Sequence, residues 1–111
     1  MSTNFKLMKE ASLVGDSWID SGDKITVLNP ANGETIGSVP KLGVPETKRA
    51  IDAAQASFQS FRKTTAQERS NWLSAWRDLI LKNVEELAQI LTLEQGKTLS
   101  EARGEVTFAA S

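Results

Sequence analysis

Residues 91–105 read LTLEQGKTLSEARGE, and the organisation of the whole chain turns on them. Just ahead of the glycine, Leu87, Ile90 and Leu91 recur at helical spacing. Gly96 offers the left-handed conformation with which helices commonly stop, and Lys97 suits the negative end of a helix. Thr98-Leu99-Ser100-Glu101 then has the S/T-x-x-E form of a capping box, in which a hydroxyl and a carboxylate satisfy two unpaired backbone N–H groups. One helix therefore closes at Gly96 and another opens at about Leu99.

Toward the C-terminus the new helix carries Ala102, Val106 and Ala109 inward. It reaches Ser111 with no glycine, asparagine or proline to stop it, so the sequence reads as cut. Toward the N-terminus, Asn83-Val84-Glu85-Glu86 repeats the capping logic and divides a helix over 66–82 from one over 84–95. The earlier of these opens on a second capping box, Thr65-Ala66-Gln67-Glu68, and aligns Trp72, Leu73, Trp76, Leu79 and Ile80 on one face, with Asp78 and Lys82 spaced to pair. Before it, Pro45 fits the first turn of a further helix that ends near Arg62 or Lys63. That helix has an apolar stripe of Ile51, Ala54, Phe58 and Phe61, and Lys48 and Asp52 are spaced to pair on its wet side.

Ahead of Pro45 the period changes to two. Residues 14–20 read as a short strand, 21–24 as a turn and 24–28 as a second strand rich in β-branched residues. Asn29-Pro30-Ala31-Asn32-Gly33-Glu34 is the clearest turn, since proline presets one backbone angle and Asn-Gly tolerates positive φ. It returns the chain through 35–39, and Pro40 ends that strand or leaves it at an edge. The three strands predict one small antiparallel sheet. Residues 1–13 commit to nothing firm, although Leu7 and Met8 could open a short element. The segment is thus α+β: an arm over 1–17, a small antiparallel hairpin sheet over 18–40 and about four helices over 45–111.

The totals exclude several functions. With 111 residues, 40% apolar and 24% charged, the chain suits one small soluble domain. Thirteen basic against fourteen acidic side chains, with no basic cluster, argue against a nucleic-acid partner. There is no cysteine and no histidine, which removes disulfides, thiolate nucleophiles, histidine bases and Cys or His metal sites together. No signal sequence or membrane span is visible, and a cytoplasmic location is the expectation.

Each motif with a chemical reading has a plainer one. Gly96-Lys97-Thr98 matches the end of a phosphate-binding loop, but Leu91 stands where that loop needs its first glycine, and a helix rather than a strand precedes it. No G-x-G-x-x-G fingerprint occurs. Glu94, Glu101 and Glu105 bracket the turn and could be imagined as acid–base or oxygen-ligand groups, yet capping accounts for Glu101 and solvent for the others. Trp72 and Trp76, one turn apart, read as core packing rather than an aromatic platform, as do Phe58 and Phe61. No serine has a base beside it in the sequence that would make it a nucleophile.

Leu93-Glu94-Gln95-Gly96-Lys97-Thr98-Leu99, followed by Glu101-Ala102-Arg103-Gly104-Glu105-Val106, resembles the aldehyde dehydrogenase superfamily, and within it the bacterial succinate-semialdehyde dehydrogenases. Leu28-Asn29-Pro30-Ala31-Asn32-Gly33-Glu34 and Ile36-Gly37-Ser38-Val39-Pro40 extend the resemblance, which runs over residues 18–111. It implies an α/β parent using NAD or NADP, a cysteine nucleophile and a water-activating glutamate, all lying downstream of the matching region. No catalytic, cofactor-binding or metal-binding residue can then be assigned among the 111. Some relatives hold a structural monovalent cation, for which Leu28 and Glu105 would be the matching positions. The resemblance further implies that the segment is structural and inactive alone, with the rest of the dehydrogenase chain as its partner and a homo-oligomer as the assembly. A stand-alone helical module, or a truncated product that self-associates through its apolar stripes, is the alternative.

Overall fold

The computed structural model describes residues 4–111. Among these the elements are β1 Ser12–Val14, β2 Ser17–Ile19, β3 Lys24–Leu28, β4 Thr35–Pro40, α1 Val44–Phe61, α2 Ala66–Lys82, α3 Val84–Gln95 and α4 Leu99–Ala110. The α+β reading holds, and the helix boundaries fall where the caps place them. The strands need correcting: they form two separate two-stranded antiparallel sheets rather than one of three strands.

Residues 14–20 are not a single strand because Gly15, at φ 63°, turns the chain back on itself. Ser12 lies opposite Ile19, Leu13 opposite Trp18 and Val14 opposite Ser17, a hairpin closed by Gly15-Asp16. The first strand therefore lies inside the 1–17 arm, whose first three residues fall outside the described ones. Leu7 and Met8 belong to neither helix nor strand. The arm is nonetheless tied down: the Leu7 N–H donates to Glu86 Oε1 at 2.7 Å, and Glu10 Oε1 accepts from the Ser38 N–H at 2.8 Å.

β3 and β4 pair from Lys24 opposite Pro40 to Leu28 opposite Thr35, with an irregularity between Val27 and Leu28. Their turn is built from the side chains that announce it. Asn29 Oδ1 accepts from the Ala31 N–H at 2.9 Å, Asn32 Oδ1 accepts from the Glu34 N–H at 3.0 Å, and Gly33 takes φ 75°.

α2 and α4 open on complete capping boxes. α1 uses half of one, since Gly43 has no side chain but its N–H donates to Glu46 Oε2 at 3.0 Å. Asn83 departs from the capping reading: its side-chain amide donates to the Leu79 carbonyl at 2.8 Å, so it closes α2 instead of capping α3. Two expected pairs, Lys48–Asp52 and Asp78–Lys82, are absent among the described residues; Asp78 takes Arg77 instead, at 2.8 Å.

The core lies between α3 and α4, where Ala88, Ala102 and Val106 are buried and Ile80, Val84, Leu87, Leu91 and Leu99 pack around them. α4 buries Ala102, Val106 and Ala110, every fourth residue; Ala109, expected inward, is exposed. Trp72 and Trp76 also depart from expectation. They are 53% and 64% exposed rather than core, and neither α1 nor α2 buries any residue. The radius of gyration, 16.7 Å, exceeds the about 13 Å of a compact chain this long, and the fold is only 18 Å thick. The accessible surface is 8188 Å², against roughly 6,000 Å² for a compact monomer of this mass.

Candidate functional site

At the Gly96 junction the proline of the β3–β4 turn meets the end of α3. Gly96 adopts φ 74° and its N–H donates to the Thr92 carbonyl at 2.8 Å, which stops α3. A Cβ on Gly96 would lie 3.0 Å from Pro30 Cγ, so the proline of the β3–β4 turn rests directly on the junction. Two requirements thus fall on one glycine: positive φ, and room for a neighbour.

The next residues hold α4 in place. Thr98 Oγ1 accepts from the Glu101 N–H at 3.3 Å, and Glu101 Oε2 accepts from the Thr98 N–H at 3.3 Å and from its hydroxyl at 3.0 Å. Lys97 pairs with Glu105 two turns into α4, so Glu105 is not simply solvated. Arg103 reaches back to α3, placing Nε 2.9 Å from Glu85 Oε2 and Nη2 2.9 Å from Glu85 Oε1. This bidentate fork, helped by Gln89, holds the Glu85 carboxyl below the usual range and raises Arg103 in turn.

A second cluster joins α1 to α2. The Arg69 guanidinium lies 4.7 Å from the Phe61 ring centroid, while Nε donates to Thr64 Oγ1 at 2.9 Å and Nη2 to the Phe61 carbonyl at 3.2 Å. Phe61 also stacks with Trp72 at 6.0 Å. Of the contacts that fix this architecture, Pro30 on Gly96, Glu10 on Ser38 and Arg103 on Glu85 carry no local sequence signal, because each joins residues far apart in the chain.

The candidate chemistry resolves into architecture. Gly96-Lys97-Thr98 is a helix stop followed by a cap, preceded by helix and not strand. Glu101 is committed to its cap, and Glu94 is exposed. Of the two positions suggested for a monovalent cation, Leu28 ends β3 and Glu105 already carries the Lys97 ammonium. Among the described residues no group of three or more acidic side chains converges.

The aldehyde dehydrogenase family model matches residues 18–111. The chain is 49% identical over 108 residues to a glutarate-semialdehyde dehydrogenase of Pseudomonas aeruginosa, covering 96% of this chain and 22% of that protein. It is 46% identical over 107 residues to the NADP(+) succinate-semialdehyde dehydrogenase of Escherichia coli, covering 95% of this chain and again 22% of the relative. The crystal structure of succinate-semialdehyde dehydrogenase from Burkholderia pseudomallei superposes with a TM-score of 0.93 at 44% identity, over 97% of this chain and 23% of that one. The chain therefore spans roughly a fifth of the length of these relatives, and its hairpins and helices are a segment of their larger α/β architecture. With its sequence matched over 18–111 and its fold matched nearly throughout, the chain belongs to the aldehyde dehydrogenase family.

Proposed function

We propose that these residues are the N-terminal framework of a semialdehyde dehydrogenase that uses NAD or NADP, and that they contribute no catalytic group to it. The observation that carries this reading is the 49% identity over 96% of the chain to a semialdehyde dehydrogenase of which the chain covers only 22%. In the reaction the family resemblance implies, a cysteine thiolate would add to the aldehyde, a nicotinamide cofactor would supply the hydride acceptor, and water activated by a glutamate would then release the acid and free the thiolate. No residue here can serve as that nucleophile, since the sequence has no cysteine. The role left to it is positional: the Gly96 junction fixes the β3–β4 hairpin against the α3–α4 pair, and α1 and α2 present apolar faces to the remainder of the enzyme. A homo-oligomer in the cytoplasm is part of the same reading, and no described helix is long and apolar enough to cross a membrane.

The test is a graft. Residues 1–111 replace the matching segment of the Escherichia coli succinate-semialdehyde dehydrogenase, and NADPH formation from succinate semialdehyde is followed beside the 111-residue chain alone. The graft should be active and the chain alone silent with either cofactor. An inactive graft or an active isolated chain would overturn the reading.

One observation favours a second reading for the chain on its own. Helices that bury nothing lower their exposed apolar area by pairing, so the isolated chain should self-associate. A clean monomer by light scattering at high concentration would contradict it.

A further inference from the structure

β3 and β4 pair along their length, yet no helix packs broadly on their hairpin. The short run Leu7-Met8-Lys9-Glu10, which belongs to neither helix nor strand, lies between both hairpins and α3. Leu7 gives its N–H to Glu86 Oε1 in the first turn of α3 at 2.7 Å. Lys9 Nζ lies 5.7 Å from the ring centroid of Trp18 on β2, and Glu10 Oε1 accepts from the Ser38 N–H on β4 at 2.8 Å. Four consecutive residues thus reach three elements that are far apart in the chain.

Glu10 sits on the donor that the free edge of β4 offers at its open end. Successive N–H groups of an antiparallel strand face opposite edges. The Lys41 N–H donates to the Asp23 carbonyl at 2.9 Å, just before β3, so Pro40 and Ser38 face away from β3. Proline has no N–H, which leaves Ser38 as the donor there, and an unpaired edge donor invites another strand. The same contact accounts for Gly37. Its φ is not left-handed, so the backbone does not ask for glycine. A Cβ at that position would lie 2.8 Å from Glu10 Oε1 and 3.8 Å from Met8 Cε, so the side chain is missing where the arm lies down.

We propose that residues 7–10 are a strap that closes the free edge of β4 and holds both hairpins on α3, with Glu10 positioning β4 and Glu86 as the anchor. The β3–β4 hairpin is then held at both ends, by Pro30 on Gly96 at its turn and by Glu10 near its open end. The strap is made of this chain's own residues and stands whether or not the graft is active.

The test is amide hydrogen exchange at residue resolution in the 111-residue chain. Glu10→Ala should speed exchange of the Ser38 amide roughly tenfold, as loss of a bond to a charged acceptor dictates, whereas Glu10→Gln keeps an acceptor oxygen and leaves it slow. Gly37→Ala should match Glu10→Ala by pushing the carboxylate aside, and the two together should go no further than either alone. Glu86→Ala releases the other end of the strap and should speed Ser38 about threefold from its place on α3. In every variant the Ala88 and Val106 amides stay protected, because the strap lies outside the α3–α4 core. Ser38 exchange indifferent to Glu10→Ala or to Gly37→Ala would overturn the proposal. A response to Glu10→Ala with none to Glu86→Ala would also defeat it, by making these two separate contacts. So would lost protection at Ala88 and Val106, which would make the arm part of the core.

Discussion

α1 and α2 run to 18 and 17 residues and bury none of them, whereas the two 12-residue helices α3 and α4 hold Ala88, Leu93, Ala102, Val106 and Ala110. The local signals are no weaker in the longer pair. Thr65 caps α2 with the same hydroxyl–carboxylate exchange that Thr98 gives α4, and Glu46 serves α1 from within its first turn. Capping therefore decides where helices begin, and burial decides how firmly they are held. The α3–α4 pair holds the core, to which α2 lends Ile80, while Trp76, Leu79, Phe58 and Ile51 stand exposed on α2 and α1.

The largest effects should come from overfilling the core that exists. Ala102 is fully buried, and Ala102→Leu should cost about 2–3 kcal/mol in urea unfolding, whereas Ala54→Leu on exposed α1 should change stability by less than ~0.5 kcal/mol. Equal losses at the two sites would erase the distinction. Next comes the junction: Gly96→Ala forces a side chain into φ 74° and toward Pro30, and should cost about 1–2 kcal/mol by the same measurement. A neutral result would mean that the β3–β4 turn does not bear on α3. Caps sharpen the comparison from the other side. Thr65→Ala and Thr98→Ala should each remove helicity worth about 1 kcal/mol in circular dichroism, regardless of which pair the helix belongs to.

Acid should act on both pairs, more weakly. The Glu85 carboxyl is held low by Arg103, Glu68 by the Thr65 N–H and Glu46 by the Gly43 N–H. A carboxyl depressed in the folded state adds stability above its unfolded pKa and loses it as pH falls through the folded value. Helicity should thus decline below the ordinary carboxylate range, and Glu85→Gln should flatten the part of that decline that belongs to α3 and α4. An acid titration unchanged by Glu85→Gln would remove the Arg103 fork from the account. The smallest effect is expected at Trp76→Ser, within ~0.5 kcal/mol for the chain alone despite the size of the side chain removed.

The helices were legible in the sequence because their determinants are local. Thr65, Thr98, Pro45 and Gly96 act within a turn of where they stand, and the starts of α1, α2 and α4 and the end of α3 follow from them. The Asn29–Glu34 turn was legible for the same reason. The turn at Gly15 is not legible in the sequence, because three-residue strands give alternation too little length to show a reversal. Trp72 and Trp76 read as core in the sequence yet stand exposed, because helical spacing marks an apolar face without saying whether these residues cover it. The Arg103–Glu85 fork spans 18 residues and leaves no periodic trace. The absence of a thiol nucleophile, in contrast, was plain from composition.

Amide hydrogen exchange, on the 111-residue chain and on the graft, tests most directly whether α1 and α2 are framework awaiting cover. Amides around Ala88 and Val106 should be protected in both, while those around Phe58 and Trp76 should exchange quickly in the chain alone and slow at least tenfold in the graft. Equal protection of all four helices in the isolated chain, or no gain on α1 and α2 in an active graft, would contradict the account.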